Sequence, residues 1–238
     1  MLSKANEFSA GKTQAATAHT ARGALIVVSS PSGGGKGTLI RRVLKEVPNL
    51  GYSVSFTTRA PRSEEIDGRD YFFISLEEFE NRIENKRFLE WARVHGNFYG
   101  TAREQVEREL SEGHDIILEI DVQGAKSVRQ LVADAVSVFI LPPTYEVLRQ
   151  RLTARGSERP DDLALRLRNA RAEVEHYREF DYVILNDEVK AAAGQLAAII
   201  YAERARRTRQ EQVAQRVIDT FPQTPANASD IFINNTED

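Results

Sequence analysis

A chain of 238 residues, 41% hydrophobic and 28% charged, has room for one sizeable α/β domain or two small ones of ordinary globular composition. Its net charge of -3 argues against a general nucleic-acid coat, which carries a basic excess. The absence of cysteine excludes disulfides and thiolate metal sites, and no apolar run reaches the roughly 20 residues that cross a bilayer, so a cytoplasmic protein is expected.

Residues 1–22, rich in Ala, Thr, Ser and Lys without an apolar core, read as a disordered leader and not as a secretory signal. The run Ala24–Ser30 is continuous and apolar and ends in Pro and Gly, as a buried parallel strand does. A helix then opens inside the glycine stretch and continues through "KGTLIRRVLKEV". Further buried strands are expected at Tyr52–Phe56, Asp115–Asp121, Val136–Leu141 and Asp181–Leu185, with helical patterns between them. Ser75 with Glu78, and Thr101 with Glu104, read as capping boxes, and Gly113 as a helix stop. Strands alternating with helices predict βαβ units and a parallel sheet covered on both faces.

Between Phe56 and Gly100 short aromatic-rich pieces flank one helix, which suggests a small mixed-β insertion in which Trp91 belongs to the core. The arginine-rich stretch "RLTARGSERPDDLALRLRNARAEVEHY" reads as two helices joined by a mobile turn. One last helix is expected from about Glu188 to Val217, with Leu196, Ile199 and Ile200 on one face, followed by a tail after Phe221. The glycosylation patterns at Asn227 and Asn235 are chance matches without a secretion signal.

The stretch "SSPSGGGKGTL", Ser29–Leu39, nearly matches the phosphate-binding pattern G-x-x-x-x-G-K-[ST]. Glycines let backbone N–H groups converge on phosphate oxygens, and the helix N-terminus adds partial positive charge. Ser32, Gly33, Gly34, Gly35, Lys36, Gly37 and Thr38 are therefore candidate ATP-phosphate contacts, with Lys36 reaching the terminal phosphates. Two residues depart from the pattern. Ser30 replaces the first glycine and alters the turn. Gly37 replaces the hydroxyl that normally holds Mg²⁺, which leaves the metal to phosphates, water and a nearby carboxylate. Lys-Gly-Thr at this point resembles the loop of adenylate kinases.

Such a loop does not separate kinases from GTPases or ATPases. Arg59 and Arg62, three apart, are able to form a double fork around one small phosphate, with Tyr71 adding a hydrogen bond; a solvated basic turn is the competing reading. Glu119 and Asp121 alternate at the carboxyl end of a strand, suited to metal and substrate work, while Asp121 also suits a helix cap.

The motifs "TTRAPR", "GRDYFF", "FLEWARVHGNFYGT" and "LEIDVQG", in this order after the glycine loop, resemble guanylate kinases over about Gly23 to Gln210. The resemblance implies the α/β P-loop nucleoside monophosphate kinase fold, with a parallel-sheet core, a small mixed-β GMP-binding subdomain and a helical arginine lid. Here those parts would be residues 23–54 and 101–210 for the core, about 55–100 for the subdomain and about 149–168 for the lid. Residues 211–238 would be a helix end and a flexible tail.

The implied activity is ATP-dependent phosphorylation of GMP and dGMP with Mg²⁺ as cofactor. By resemblance Ser55, Arg59, Arg62 and Tyr71 surround the GMP phosphate, with Tyr99 close, and Glu90, Thr101 and Asp121 read guanine. The chemistry agrees, because guanine N1–H and N2–H₂ donors want the Glu90 and Asp121 carboxylates, and O6 wants the Ser55 and Thr101 hydroxyls. Lys36, Arg59, Arg151, Arg155 and Arg166 match the cations of the transfer, and Asn186 the donor's adenine side. Glu119, where the family usually has Asp, is the metal-side carboxylate. No histidine is assigned, His95 included. The partners are ATP and GMP, without nucleic acid or membrane; a homo-oligomer is left open. Two rivals also stay open: a guanylate-kinase-like binding module without catalysis, and a kinase of another phosphorylated acceptor such as a ribose bisphosphate.

Overall fold

A fully buried strand, β1 (Leu25–Ser29), runs through the middle of a parallel five-stranded sheet. It lies between β7 (Asp115–Glu119) and β8 (Val136–Leu141), with β2 (Leu50–Ser53) and β9 (Tyr182–Leu185) at the edges. This computed structural model describes residues 22–94, 96–154 and 160–222, the side chains of 160–166 excepted. The expected leader and tail, His95 and Arg155 fall outside that range, as does the Arg166 side chain.

One face of the sheet is covered by α1 (Lys36–Glu46) and α7 (Val189–Arg204), which pack Leu39, Ile40, Val43, Leu196 and Ile200 onto Ile26, Val28 and Ile117. The other carries α3 (Arg103–Ser111) and α4 (Val122–Leu131), whose Val106, Leu110, Ala125 and Val128 meet Leu25, Val27, Ile116 and Leu118. The three central strands are mostly apolar because both faces are covered. Burying each such Leu, Ile or Val contributes about 1.5–3 kcal/mol. As every strand is parallel, all carboxyl ends share one edge, where ligands bind in sheets of this kind.

A second sheet, of order β4-β3-β6-β5, comprises β3 (Phe56–Thr57), β4 (Phe72–Phe73), β5 (Phe88–Val94) and β6 (Asn97–Ala102). The helix α2 (Leu76–Glu84) covers it by packing the buried Phe79 against Phe88 and Phe98. As expected, Ser75 caps α2, its hydroxyl accepting from the Glu78 N–H at 3.1 Å. The helices α5 (Tyr145–Ala154) and α6 (Pro160–Glu175) stand on either side of residues 155–159. The helix α8 (Arg207–Ile218) closes the described part, and no described helix is long and apolar enough to cross a membrane.

Four expectations change. Tyr52–Phe56 is not one strand: β2 ends at Ser53, and Phe56 starts β3 in the other sheet, because partners across the chain set where an extended segment pairs. Thr101 is no helix cap; it lies in β6, and α3 follows Ala102 without a side-chain cap. Trp91 is 45% exposed, since on β5 its neighbours Glu90 and Ala92 take the inward positions. The last helix breaks at Ala205–Arg206. There Arg204 is tied to Asp115 at 2.6 Å and to the Pro48 carbonyl at 2.7 Å, and Arg209 to the Asp134 carbonyl at 2.9 Å.

Candidate active site

The loop between β1 and α1 shows two different uses of glycine. Gly33 and Gly35 have φ of 83° and 89°, a conformation that other L-residues resist. Gly34 instead lacks room, since a Cβ there would lie 2.7 Å from the Ser30 Cβ. The loop is braced from behind by residues remote in the chain. Asn186, buried at the end of β9, donates from Nδ2 to the Gly34 carbonyl at 2.8 Å. Arg151 on α5 donates to the same carbonyl at 3.4 Å and to the Asn186 carbonyl at 3.0 Å. In a trans peptide the N–H points opposite to the C=O, so this bracing aims the Gly35 N–H away from Asn186 and Arg151.

The Ser32 N–H donates to the Glu173 carboxylate on α6 at 2.8 Å, and the Gly34 N–H to the Pro31 carbonyl at 2.9 Å. Ser32 and Gly34 thus already have internal partners for the groups that the sequence pattern offers to phosphate. Lys36 Nζ lies 3.9 Å from Glu119.

A cleft of about 660 Å³ lies over the loop, and Arg41, Tyr52, Arg62, Tyr71 and Glu119 form its far wall. Tyr52 Oη donates to Glu119 at 3.3 Å, and burial together with the Glu119 charge pushes this phenol above its ordinary range, so it stays a donor. Tyr71 is pushed up to about 12, first by burial and then by Glu119. The ring of Tyr71 meets Tyr99 edge-on at 5.9 Å, and the Arg59 guanidinium lies 5.5 Å from it.

Arg59 and Arg62 do come together, and a carboxylate lies between them. Arg59 donates to both Glu65 oxygens at 2.8 and 2.9 Å, while Arg62 donates its backbone N–H at 2.8 Å and holds its guanidinium 3.7 Å away. Burial raises the Glu65 carboxyl, but these bonds outweigh it and hold the group below the usual carboxylate range. Ser55 is half-buried in the link from β2 to β3.

On the other side of Ser30 and Lys36 a second cleft, of about 450 Å³, is lined by Arg93, Asp121, Asn169 and Glu173. Beside it Glu90, 6% exposed, accepts from the Thr101 hydroxyl at 2.6 Å. A Cβ on Gly124 would stand 2.6 Å from the second Glu90 oxygen, so that glycine admits the carboxylate. Asp121 is the N-cap of α4, accepting from the Gly124 N–H at 2.9 Å. Burial, with the Asp121 charge adding and the Thr101 bond opposing, pushes Glu90 up to about 7. Glu119 and Asp121, expected on one face, line different clefts because β7 ends at Glu119 and the chain turns into α4.

Arg41, Tyr52, Glu65 and Glu173 escaped the sequence reading. Glu65 had a local signal, three residues after Arg62 in an arginine-rich turn. Glu173 had none, being 141 positions from its loop partner.

A glycine loop at the carboxyl edge of a parallel sheet, with paired arginines along one cleft and a buried carboxylate beside another, defines a P-loop kinase fold. Residues 22–203 match the family model described as Guanylate kinase. The chain is 52% identical over 188 residues to the guanylate kinase of Symbiobacterium thermophilum, covering 79% of this chain and 89% of that protein. It is 46% identical over 205 residues to the guanylate kinase of Rhizobium meliloti, covering 86% and 94%. A solved guanylate kinase from Anaplasma phagocytophilum superposes with a TM-score of 0.73 at 34% identity, over 86% of this chain and 98% of that one. The chain belongs to the guanylate kinase family.

Proposed function

We propose that this protein transfers the γ-phosphoryl group of ATP to GMP, and to dGMP, releasing ADP and GDP or dGDP. The observation that carries the choice of acceptor is the buried grouping of Glu90 and Thr101 beside Asp121. Guanine presents N1–H and N2–H₂ to such carboxylates, whereas adenine has no N1 donor and would leave one unpaired. A site built on hydrogen bonds of this kind discriminates by about 10⁴–10⁵.

In this reading the donor lies on the loop from Ser32 to Thr38, with Lys36 neutralising the terminal phosphates and Asn186 bracing the loop on the adenine side. Residues 55–100 serve as the acceptor subdomain, where Ser55, Arg59, Arg62, Tyr71 and Tyr99 hold the GMP phosphate. Residues 149–168 serve as the lid, and Arg151, Arg155 and Arg166 complete the cationic surround. A GMP phosphate oxygen attacks the γ-phosphorus, forming a new P–O bond as the bond to the bridging oxygen breaks. The electron pair leaves with ADP, and no general base is required because the nucleophile is already anionic.

Along the cleft over the loop, the Glu119 carboxylate and the Thr38 hydroxyl offer oxygen ligands, which suit a hard divalent cation. Mg²⁺ is the ion we assign to Glu119 and the donor phosphates, where it would neutralise phosphate charge. We place the enzyme in the cytoplasm, in keeping with its lack of cysteine.

A coupled assay of ADP release with GMP, dGMP, AMP, UMP and a sugar phosphate tests the proposal. Turnover is expected with GMP and dGMP. Equal rates with AMP would remove the guanine-reading role, and tight GMP binding without any ADP release would make the chain a binding module.

A further inference from the structure

The backbone does not require glycine at position 37. Gly37 lies in the first turn of α1 and is not among the left-handed glycines, and within a helix glycine is a poor choice. Its neighbour explains it. A Cβ built at Gly37 would stand 3.3 Å from one carboxylate oxygen of Glu119, tighter than most side-chain carbons pack, and 3.5 Å from the other, in ordinary contact. A serine hydroxyl sits one bond beyond its Cβ, so it would compete for the volume that this carboxylate fills. The carboxylate is kept there by Tyr52, which donates to it at 3.3 Å, and by Lys36, 3.9 Å away. The Nη1 of Arg41 also lies near this point, 3.7 Å from the same Cβ position.

Taking Glu119 as the metal-side carboxylate read above, we propose that Gly37 and Glu119 are a size-matched pair, the longer acid reaching from the end of β7 into the volume that a loop hydroxyl would otherwise fill. The longer acid needs the missing side chain. An Asp at position 119 would fall a methylene short of the loop, leaving room for a serine at position 37, so Ser with Asp is the other workable combination. This rests on the reading that ATP and a divalent cation occupy the loop.

The test is titration of Mn²⁺ into the full-length protein with a non-hydrolysable ATP analogue, followed by electron paramagnetic resonance, without any acceptor nucleotide. Failure here is therefore distinct from failure of the GMP assignment, which the ADP-release assay reads. Glu119→Gln, nearly isosteric, is expected to weaken Mn²⁺ binding about ten-fold or more beyond any change in analogue affinity measured in EDTA. Gly37→Ser and Glu119→Asp should each weaken Mn²⁺ binding, and the double variant should return to within about three-fold of the parent, a non-additive result. Unchanged Mn²⁺ affinity in Glu119→Gln would overturn the ligand role and leave Glu119 a counter-ion for Lys36. A double variant whose loss equals the product of the single losses would overturn the pairing.

Discussion

In the proposed reading Glu90 pairs with guanine donors best as a carboxylate, yet burial in the folded protein makes that charge costly. Its ordinary value of 4.5 is raised to about 7, so the carboxyl is mostly protonated below that pH and ionised above it. For stability the sign follows directly: the folded state keeps a proton that the unfolded chain has lost, so this group's contribution falls as pH rises from about 4.5 to about 7. For binding the sign is opposite. GMP selects the ionised form, so its affinity should rise from about pH 6 to about pH 8, with release of a proton. The GMP phosphate titrates near pH 6 as well, so the comparison with Glu90→Gln isolates the residue. That variant should raise KM for GMP and flatten its pH slope; equal slopes in both proteins would remove Glu90 from guanine recognition.

At the scale of elements, the proposed reading gives single residues a binding task beside a structural one. Asp121 caps α4 while facing the second cleft. Asp121→Ala should therefore lose about 0.5–2 kcal/mol of stability, whereas Asp121→Asn keeps an N-cap oxygen and should stay close to the parent in melting temperature. Both should raise KM for GMP, which steady-state kinetics beside thermal melts would separate. The turn from Ala60 to Tyr71 is likewise organised by carboxylates. Glu65 orients Arg59, Asp67 accepts from the Phe73 N–H at 2.8 Å, and Asp70 accepts from the Ile66 N–H at 2.9 Å. Glu65→Ala should raise KM for GMP more than it lowers kcat, because Arg59 loses its orientation and keeps its charge. In the core, Leu196→Ala on α7 should cost about 2–5 kcal/mol in denaturant unfolding, since that side chain is fully buried between α1 and the sheet.

For the molecule as a whole, the donor loop is where distant segments meet. Asn186 after β9 and Arg151 on α5 donate to the Gly34 carbonyl, and Glu173 on α6 accepts from the Ser32 N–H. The last two come from the helices on either side of residues 155–159, so the shape of the loop depends on where both helices are packed. Glu173→Ala should raise KM for ATP several-fold while leaving KM for GMP nearly unchanged. Glu173→Gln, whose amide oxygen still accepts the Ser32 N–H, should restore the parent value. Parallel changes in both KM values would point instead to a general loss of order.

Much of the site could be read before folding because its chemistry is local. A glycine loop needs only neighbouring residues to shape it, paired arginines three apart act as one group, and apolar runs of strand length announce a buried sheet. The break at Ala205–Arg206 left no such mark, since no Gly or Pro stands there and the cause is the anchoring of Arg204 and Arg209 to remote partners. Thr101 looked like a cap because its spacing to Glu104 fits one, and it is a strand residue because Glu90 is its partner across the hairpin. By itself, the sequence determined the family, the fold class and the kinds of side chain available for two nucleotides. Tertiary structure alone decided that Glu173 braces the loop, that Glu65 lies between the arginines, and that Gly37 and Glu119 share one volume. Those facts depend on side chains brought together by packing from far apart in the chain, and spacing along the sequence carries no record of such distances.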